Sequence, residues 1–414
     1  MDDIIVSIDI GTSKVCTLIG KVNNANSIEI IGSGIAPCNG VKKGIIVDVE
    51  STSRSIMESV RYAESEAGMK VGSAYINIIG MHIDVIPNKS WLNMSSDNRE
   101  ITRKDVDRLL QEVCYVDLTE DKQIIDVIPH QFIIDGYDEI MDPVGMMGVK
   151  LEVEADIIAG KITSVRNIVR SVEKAGLKID GLIAEAFASG HILLTPEEKE
   201  MGTILIDVGG GVTNVAVFKN KRLVFYDSIP VGGDHITNDI SIGLKVPYSE
   251  SEKIKRQYEL ALSSLIKNDQ LITVNDINDN KRKSIRISEV VEVIEARVYE
   301  IFSLCRKLIQ ESGTSIDSGM NIVLTGGGIS YVDGNRQLAE EVFELPARVA
   351  SFKAVNIEKP EYAVAAGMIM YISSMCSKEK SGSIISDQKE NNSEKKTGLS
   401  GLFSKIIEFF RKLF

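Results

Sequence analysis

The sequence predicts a two-lobed α/β protein, and three strand-and-turn units carry the prediction. "IIVSIDI" (4–10) is rich in β-branched residues and stops at Gly11, "TILIDV" (203–208) stops at three glycines, and "NIVLTGGG" (321–328) has the same form. Each reads as a buried strand that delivers its C-terminal end into a turn of small residues. Helical patterns stand between them at 49–68, 162–176 and 290–313, the last two closed by a helix-stopping glycine. Strands that alternate with helices in this way make an α/β protein.

The first two units share a layout of strand, Asp, glycine, then Thr or Ser: "DIGTSK" (9–14) and "DVGGGVTN" (207–214). Glycine lets backbone N–H groups approach an anion closely, and neighbouring hydroxyls add donors. An aspartate at the strand end, facing the same cleft, can hold a hydrated Mg2+ that screens phosphates. One such turn is a common structural device. Two of the same form, with "LTGGG" (324–328) beside them, predict two halves that clamp a nucleotide. Neither is a P-loop, because GxxxxGK[ST] is absent.

Bulk properties narrow the class. A hydrophobic content of 43% makes a large core feasible, and 414 residues allow about two to four domains. The net charge of −12, with no long Lys/Arg block, argues against a nucleic-acid binder. Cys16, Cys38, Cys114, Cys305 and Cys376 form no CxxC pair and are expected to be reduced, mostly buried thiols. His82, His130, His191 and His235 show no metal spacing. His235 follows "VGGD" (231–234) and is expected to hydrogen-bond at a helix start, and Trp91 is expected to pack. The N-terminal "MDDIIVSIDIGTSK" has acids where a signal peptide needs positive charge, and no run approaches the ~20 apolar residues of a bilayer span. The chain is therefore expected to be cytosolic, with peripheral membrane contact at most.

Residues 84–161 have another texture. Short strand-like pieces such as "VIPHQFIIDGYDEI" (127–140), broken by Pro, Gly and Asp, predict an inserted α+β subdomain. Residues 377–398 are polar and mixed in charge, and predict a disordered tether. Beyond it, at 100° per residue, Leu402, Phe403, Ile406, Ile407, Phe410, Leu413 and Phe414 share one stripe, with Lys405, Glu408, Arg411 and Lys412 opposite. Residues 399–414 thus read as an amphipathic helix on anionic lipid, against the alternatives of docking on the protein's own core or on a partner. Burying a Leu, Ile or Phe is worth roughly 1.5–3 kcal/mol and a base near anionic lipid about 1, while ordering opposes by about 1–2 per residue. Such an anchor is marginal alone and firm when several are tethered in one filament.

The paired hairpins and the late "TGGG" resemble the actin/sugar-kinase/heat-shock-chaperone ATPase superfamily. Within it, the chain resembles the FtsA family of bacterial cell-division proteins over nearly its whole length. "IDIGTSKVCTLIG" (8–20), "VIPHQFIIDG" (127–136), "DPVGMMGVKLEVE" (142–154), "IVRSVEKAGL" (168–177), "IDVGGGVTN" (206–214) and "IVLTGGGI" (322–329) carry the resemblance. The "DPVG" stretch weighs most, because generic actin-like proteins lack that insertion. The resemblance implies an α/β, two-lobed actin-like ATPase fold with an inserted α+β subdomain in the first lobe. Residues 1–83, 162–195 and a closing helix at 361–376 would form the first lobe. Residues 196–230 and 301–360 would form the second-lobe core, and 231–300 its peripheral subdomain.

The resemblance also implies ATP and Mg2+. Asp9, Gly11, Thr12, Ser13 and Lys14 would form one phosphate loop, and Asp207, Gly209, Gly210, Gly211 and Thr213 the other. Asp9 and Asp207 would hold the metal through water, and Gly326, Gly327 and Gly328 would approach the adenosine. Glu252 and Lys255, at i and i+3 in "SESEKIKRQY" (249–258), resemble the superfamily's ribose- and adenine-contacting pair, against the reading of a surface ion pair. Asn214 and Glu185 are the candidates for orienting water, and an amide cannot act as a general base, so ATP binding is expected without efficient turnover. Arg297 and Glu300 read either as a solvated helix pair or, by resemblance, as a contact for the C-terminal tail of FtsZ, the tubulin-like ring protein. The implied function is an ATP-binding filament that ties FtsZ to the inner face of the membrane and gathers other division proteins. The rivals are a small-molecule kinase of this superfamily, a pilus-assembly adaptor of the same fold and an MreB-like shape filament.

Overall fold

Two five-stranded sheets follow one plan. In the first lobe the order is Lys178–Ala184, Ser73–Ile78, Asp3–Ile10, Lys14–Val22, Ile28–Pro37. The first three strands run parallel, and the last two form an antiparallel meander with Asp3–Ile10. In the second lobe Ala347–Val349, Asn321–Thr325 and Thr203–Val208 are parallel, and Thr213–Lys219 and Arg222–Ile229 complete the meander. The structure, a computed structural model, describes residues 3–22, 28–94, 99–277, 281–350 and 360–382. Leu402, Phe403, Lys405, Ile406, Ile407, Phe410, Arg411, Lys412, Leu413 and Phe414, named for the membrane, lie outside the described residues, as does Cys376's side chain.

The central strands Asp3–Ile10 and Thr203–Val208 are buried from Ile5 and from Thr203 onward, because helices cover both faces of each sheet. On one face of the first sheet lies the Val49–Ala67 helix, started by the Asp48 carboxylate accepting from Ser51 N at 3.0 Å and stopped by Gly68 at φ 66°. Its approach to the sheet is close: a Cβ on Gly34 would stand 1.9 Å from the Ser59 carbonyl oxygen. The other face is covered by Ala363–Gly382, whose Ala365, Met368 and Ile369 pack on Ile5 and Leu18. That helix was expected to stop at 376. It continues to Gly382, through Lys-Glu-Lys, which has good helix propensity, and the rest of the expected tether lies outside the described residues.

The Ile287–Glu311 helix buries Val290, Ile294, Val298, Ile301, Phe302 and Cys305 against the second sheet, a spacing of three and four that leaves Arg297 and Glu300 outward. Between the lobes' elements, Ile83–Asn93, Lys150–Lys161, Lys122–Ile134 and Tyr137–Ile140 form a separate antiparallel sheet in the order given. Leu151, Val153, Ala155 and Ile157 alternate toward the Arg103–Glu112 helix and make a core of their own. On the opposite, solvated face stands Trp91, 54% exposed with the Lys150 ammonium 5.4 Å from its ring centre, which corrects the expectation that it packs. The insertion is pinned to the second lobe by buried Asp156, which accepts from Arg222 (2.6 Å) and lies 2.6 Å from His130 Nε2.

Candidate functional site

The two phosphate-type turns are the same object built twice. Gly11 N donates to Lys14 O at 3.0 Å, and Gly209 N donates to Val212 O at 2.9 Å, each closing a tight turn at the end of its central strand. The turns meet face to face: Ser13 Oγ donates to Asp234 Oδ2 at 3.1 Å, and a Cβ on Gly210 would stand 1.9 Å from Ser13 Oγ. A cleft opens beside them. Asp9, Gly11, Thr12, Ser13, Lys14, Glu185, Asp207, Gly209, Gly210, Asn214, Gly326 and Gly327 all line it. Gly326, at φ 98°, turns the third loop away from the strand, and its missing Cβ leaves room for the Val208 carbonyl oxygen.

The remaining expected residues stand behind the wall. Gly328 N donates to Val208 O at 2.8 Å, and Gly211 packs against Thr12. Thr213 is fully buried, and its hydroxyl donates to Val231 O at 2.7 Å, so it fixes the loop rather than offering the cleft a donor. Gly232 and Gly233, which the sequence marked only as a helix start, seat that helix on the second turn: Gly233 N donates to Gly209 O and Asp234 N to Gly210 O, at 2.9 and 2.8 Å. His235 Nδ1 accepts from Gly232 N at 3.1 Å.

Glu252 and Lys255 are not a surface pair. Lys255 is 2% exposed and gives its three protons to Gly233 O (3.0 Å), Thr237 Oγ1 (2.8 Å) and Glu252 Oε2 (2.7 Å). Burial pulls its ammonium below the ordinary lysine range although Glu252 opposes this. The pair clasps the Tyr248–Tyr258 helix to the start of the Gly233–Gly243 helix, beside the third glycine loop.

Three carboxylates converge at the floor of the cleft, each less than a tenth exposed: Asp9, Asp207 and Glu185. Burial pushes Asp9 up to about 7, with Lys14 pulling it down and Asp207 pushing it further up. Burial likewise lifts Asp207 to about 6, against Lys14. Glu185 rises well above its usual range through burial and then through Asp207 and Asp9. Two amides hold Glu185. Asn214 Nδ2 donates to Oε1 at 2.7 Å, and Asn77 Nδ2, 3.4 Å from Oε2, also donates to Asp9 Oδ1 at 2.7 Å. Ser228 donates to Asn214 Oδ1 at 2.5 Å, which fixes that amide's orientation. Asn214 is therefore bound to Glu185 instead of facing the cleft alone. Asn77 was missed; a polar side chain at the C-terminal end of a parallel strand next to the first turn was its only signal.

Arg297 and Glu300 lie elsewhere, in a shallow groove between the Gly233–Gly243 and Ile287–Glu311 helices. Arg297 donates to Glu300 Oε2 and, unforeseen, to Asp239 Oδ2, both at 2.5 Å. Apolar Ile242, 70% exposed, and acidic Glu289 and Glu292 share the groove, so it suits a segment bearing apolar and basic side chains. Among the described residues no group of three or more His, Cys, Asp or Glu side chains is arranged to hold a metal ion, and no helix is long and apolar enough to cross a membrane.

Comparison with known proteins fits this architecture. A family model described as "Cell division protein FtsA" matches residues 204–367, and one described as "SHS2 domain inserted in FTSA" matches 80–159. The chain is 37% identical over 371 residues to the "Cell division protein FtsA" of Bacillus subtilis (strain 168), covering 89% of this chain and 83% of that protein. It is 30% identical over 382 residues to the Escherichia coli (strain K12) protein of the same name, covering 89% and 90%. Among solved structures, MreB 5 of Spiroplasma citri bound to AMPPNP superposes with TM-score 0.53 at 16% identity over 92% of this chain and 98% of the other. The PilM-PilN type IV pilus biogenesis complex gives 0.58 at 14% over 89% and 97%. These two likenesses establish the actin-like fold.

Proposed function

Because this chain belongs to the FtsA family of bacterial cell-division proteins, we propose that it binds ATP, polymerises, and ties the FtsZ division ring to the cytoplasmic face of the membrane, where it gathers later division proteins. The observation that carries the nucleotide reading is the meeting of two like glycine turns over three buried carboxylates. Among the described residues Lys14 is the cation that lowers Asp9 and Asp207, and burial raises both, so their ionised forms lack full compensation at the floor of the cleft. A divalent cation fits that deficit, and Asp9 and Asp207 would hold Mg2+ through water. Bound Mg2+ screens the phosphates. Gly11, Thr12, Ser13, Lys14, Gly209 and Gly210 offer donors on both sides, and Gly326 and Gly327 leave room for the adenosine.

Glu252 and Lys255 act on the adenosine end by clasping the helix that backs the second turn. Glu185, aligned by Asn77 and Asn214, is the group placed to orient water. Burial and then Asp207 and Asp9 raise its carboxyl well above the usual range, and Asn214 beside it is an amide that cannot act as a general base, so turnover is slow or absent. Closing both turns on a nucleotide favours the filament-competent cleft, residues 399–414 bring the filament to anionic lipid, and the Arg297 groove takes the FtsZ tail.

Gly210→Asp tests the reading. Its Cβ would meet Ser13 Oγ at 1.9 Å and Asp234 Oδ2 at 3.1 Å, so the aspartate forces the turns apart and adds a fourth acid. ATP affinity is expected to fall at least about a hundredfold, roughly 2.7 kcal/mol, and ATP-dependent sedimentation of filaments to disappear. A variant that binds and assembles like the parent overturns the proposal.

A further inference from the structure

The edge strand of the inserted sheet and the loop after it carry exposed apolar side chains to which the proposed function assigns no partner. Tyr137 is 78% exposed, Met141 65% and Met147 60%, with Val144, Met146 and Val149 exposed beside them. This exposure is built in, because the segment is tied down at several points. Asp135 accepts from Val149 N and Lys150 N, Ile101 N donates to Met146 O, and Gly145 N and Gly148 N donate to Ile101 O and Arg99 O. Several large apolar side chains held exposed on one short segment mark an interaction site, and methionines adapt to an irregular partner.

Charge identifies the partner. Residues 135–149 contain Asp135, Asp138, Glu139 and Asp142 and no Lys or Arg. Arg99, Lys150 and Lys221 border the segment, and its own charge remains acidic, which favours a basic partner over anionic lipid. The apolar stripe of residues 399–414 is flanked instead by Lys405, Arg411 and Lys412 against Glu408. Sixteen residues separate Gly382 from Leu399, a contour of about 55 Å, comparable to the diameter of a chain this long. We propose that residues 399–414 dock as an amphipathic helix on the Tyr137–Val149 surface of the same molecule when lipid is absent, so that membrane and insertion compete for one helix. The proposal rests on the reading of that helix as the membrane anchor, and it makes the insertion a guard that keeps unassembled protein off the bilayer. A helix docked in about nine of ten molecules weakens apparent membrane affinity about tenfold.

The test is amide hydrogen exchange without lipid or nucleotide, on the full chain and on a chain ending at Gly398, at two concentrations tenfold apart. Slower exchange across 137–149 in the full chain alone, unchanged on dilution, is the expected result. Equal exchange in both chains overturns the proposal. So does protection that vanishes on dilution, because the occupant is then a second copy. In parallel, the full chain carrying Met141→Glu and Met147→Glu is expected to pellet with phosphatidylglycerol vesicles at about a tenth of the lipid the parent needs. An unchanged lipid requirement counts against competition. If the parent never binds vesicles yet 137–149 is protected, docking stands and the anchor reading falls.

Discussion

Replacing Asp9 by Asn separates the stability of the cleft floor from its function. The substitution keeps an oxygen to accept from Asn77 Nδ2 and removes one of three crowded carboxyl groups. A carboxyl raised on folding binds its proton more tightly in the native state, so its burial is tolerated at low pH and becomes destabilising as pH rises from its unfolded to its folded value. For Asp9 that window runs from 3.8 to about 7. The gap corresponds to an upper figure of ~4 kcal/mol above pH 7. With the usual unfolding entropy per residue, 1 kcal/mol is worth about 1 °C in a chain of 414 residues. Without nucleotide, Asp9→Asn is therefore expected to melt up to about 4 °C above the parent at pH 8 and to lose most of that advantage by pH 5. Adding Mg·ATP should reverse the order, since the parent alone has both aspartates to hold the metal. Differential scanning calorimetry at the two pH values, with and without Mg·ATP, reads all four comparisons. Parallel melting of both proteins from pH 5 to 8 would refute the claim that uncompensated charge loads the cleft.

Other perturbations follow from single contacts. Arg297→Ala frees Asp239 and Glu300 and leaves only acids among the groove's charged side chains; affinity for an FtsZ tail peptide is expected to fall about tenfold in fluorescence anisotropy, with ATP binding unchanged. Arg222→Ala leaves Asp156 buried beside His130 alone, and is expected to destabilise by about 2–3 kcal/mol in urea melts; adding Asp156→Asn should recover most of the loss. The same contact has a pH signature. Burial would raise Asp156, but His130 and Arg222 hold it below the usual carboxylate range, so its contribution is present above the unfolded value and fades as acid protonates it. Loss of the insertion's docking on the second lobe should therefore precede global melting on acidification, followed by hydrogen exchange at Ile83–Asn93.

The sequence by itself determined what depends on neighbours along the chain. The strands ending at Gly11 and Gly209, the helix stops at Gly176 and Gly313, the apolar spacing from Val290 to Cys305 and the foreign texture of the insertion are short-range patterns, because backbone conformation and burial periodicity are set within a few residues. The tertiary structure decided what depends on residues far apart. Asn77 reaches Asp9 across 68 positions and Glu185 across 108, and Asp239 reaches Arg297 across 58, distances along the chain that no spacing rule spans. Lys255 and Glu252 have the spacing of a solvent pair, and only the packing of the Gly233 helix over them made the lysine a buried clasp. Thr213 has the sequence of a phosphate ligand and the contacts of a loop brace. Burial and partner choice are properties of the assembled core, where a side chain's neighbours are chosen by the sheet order and not by the chain order.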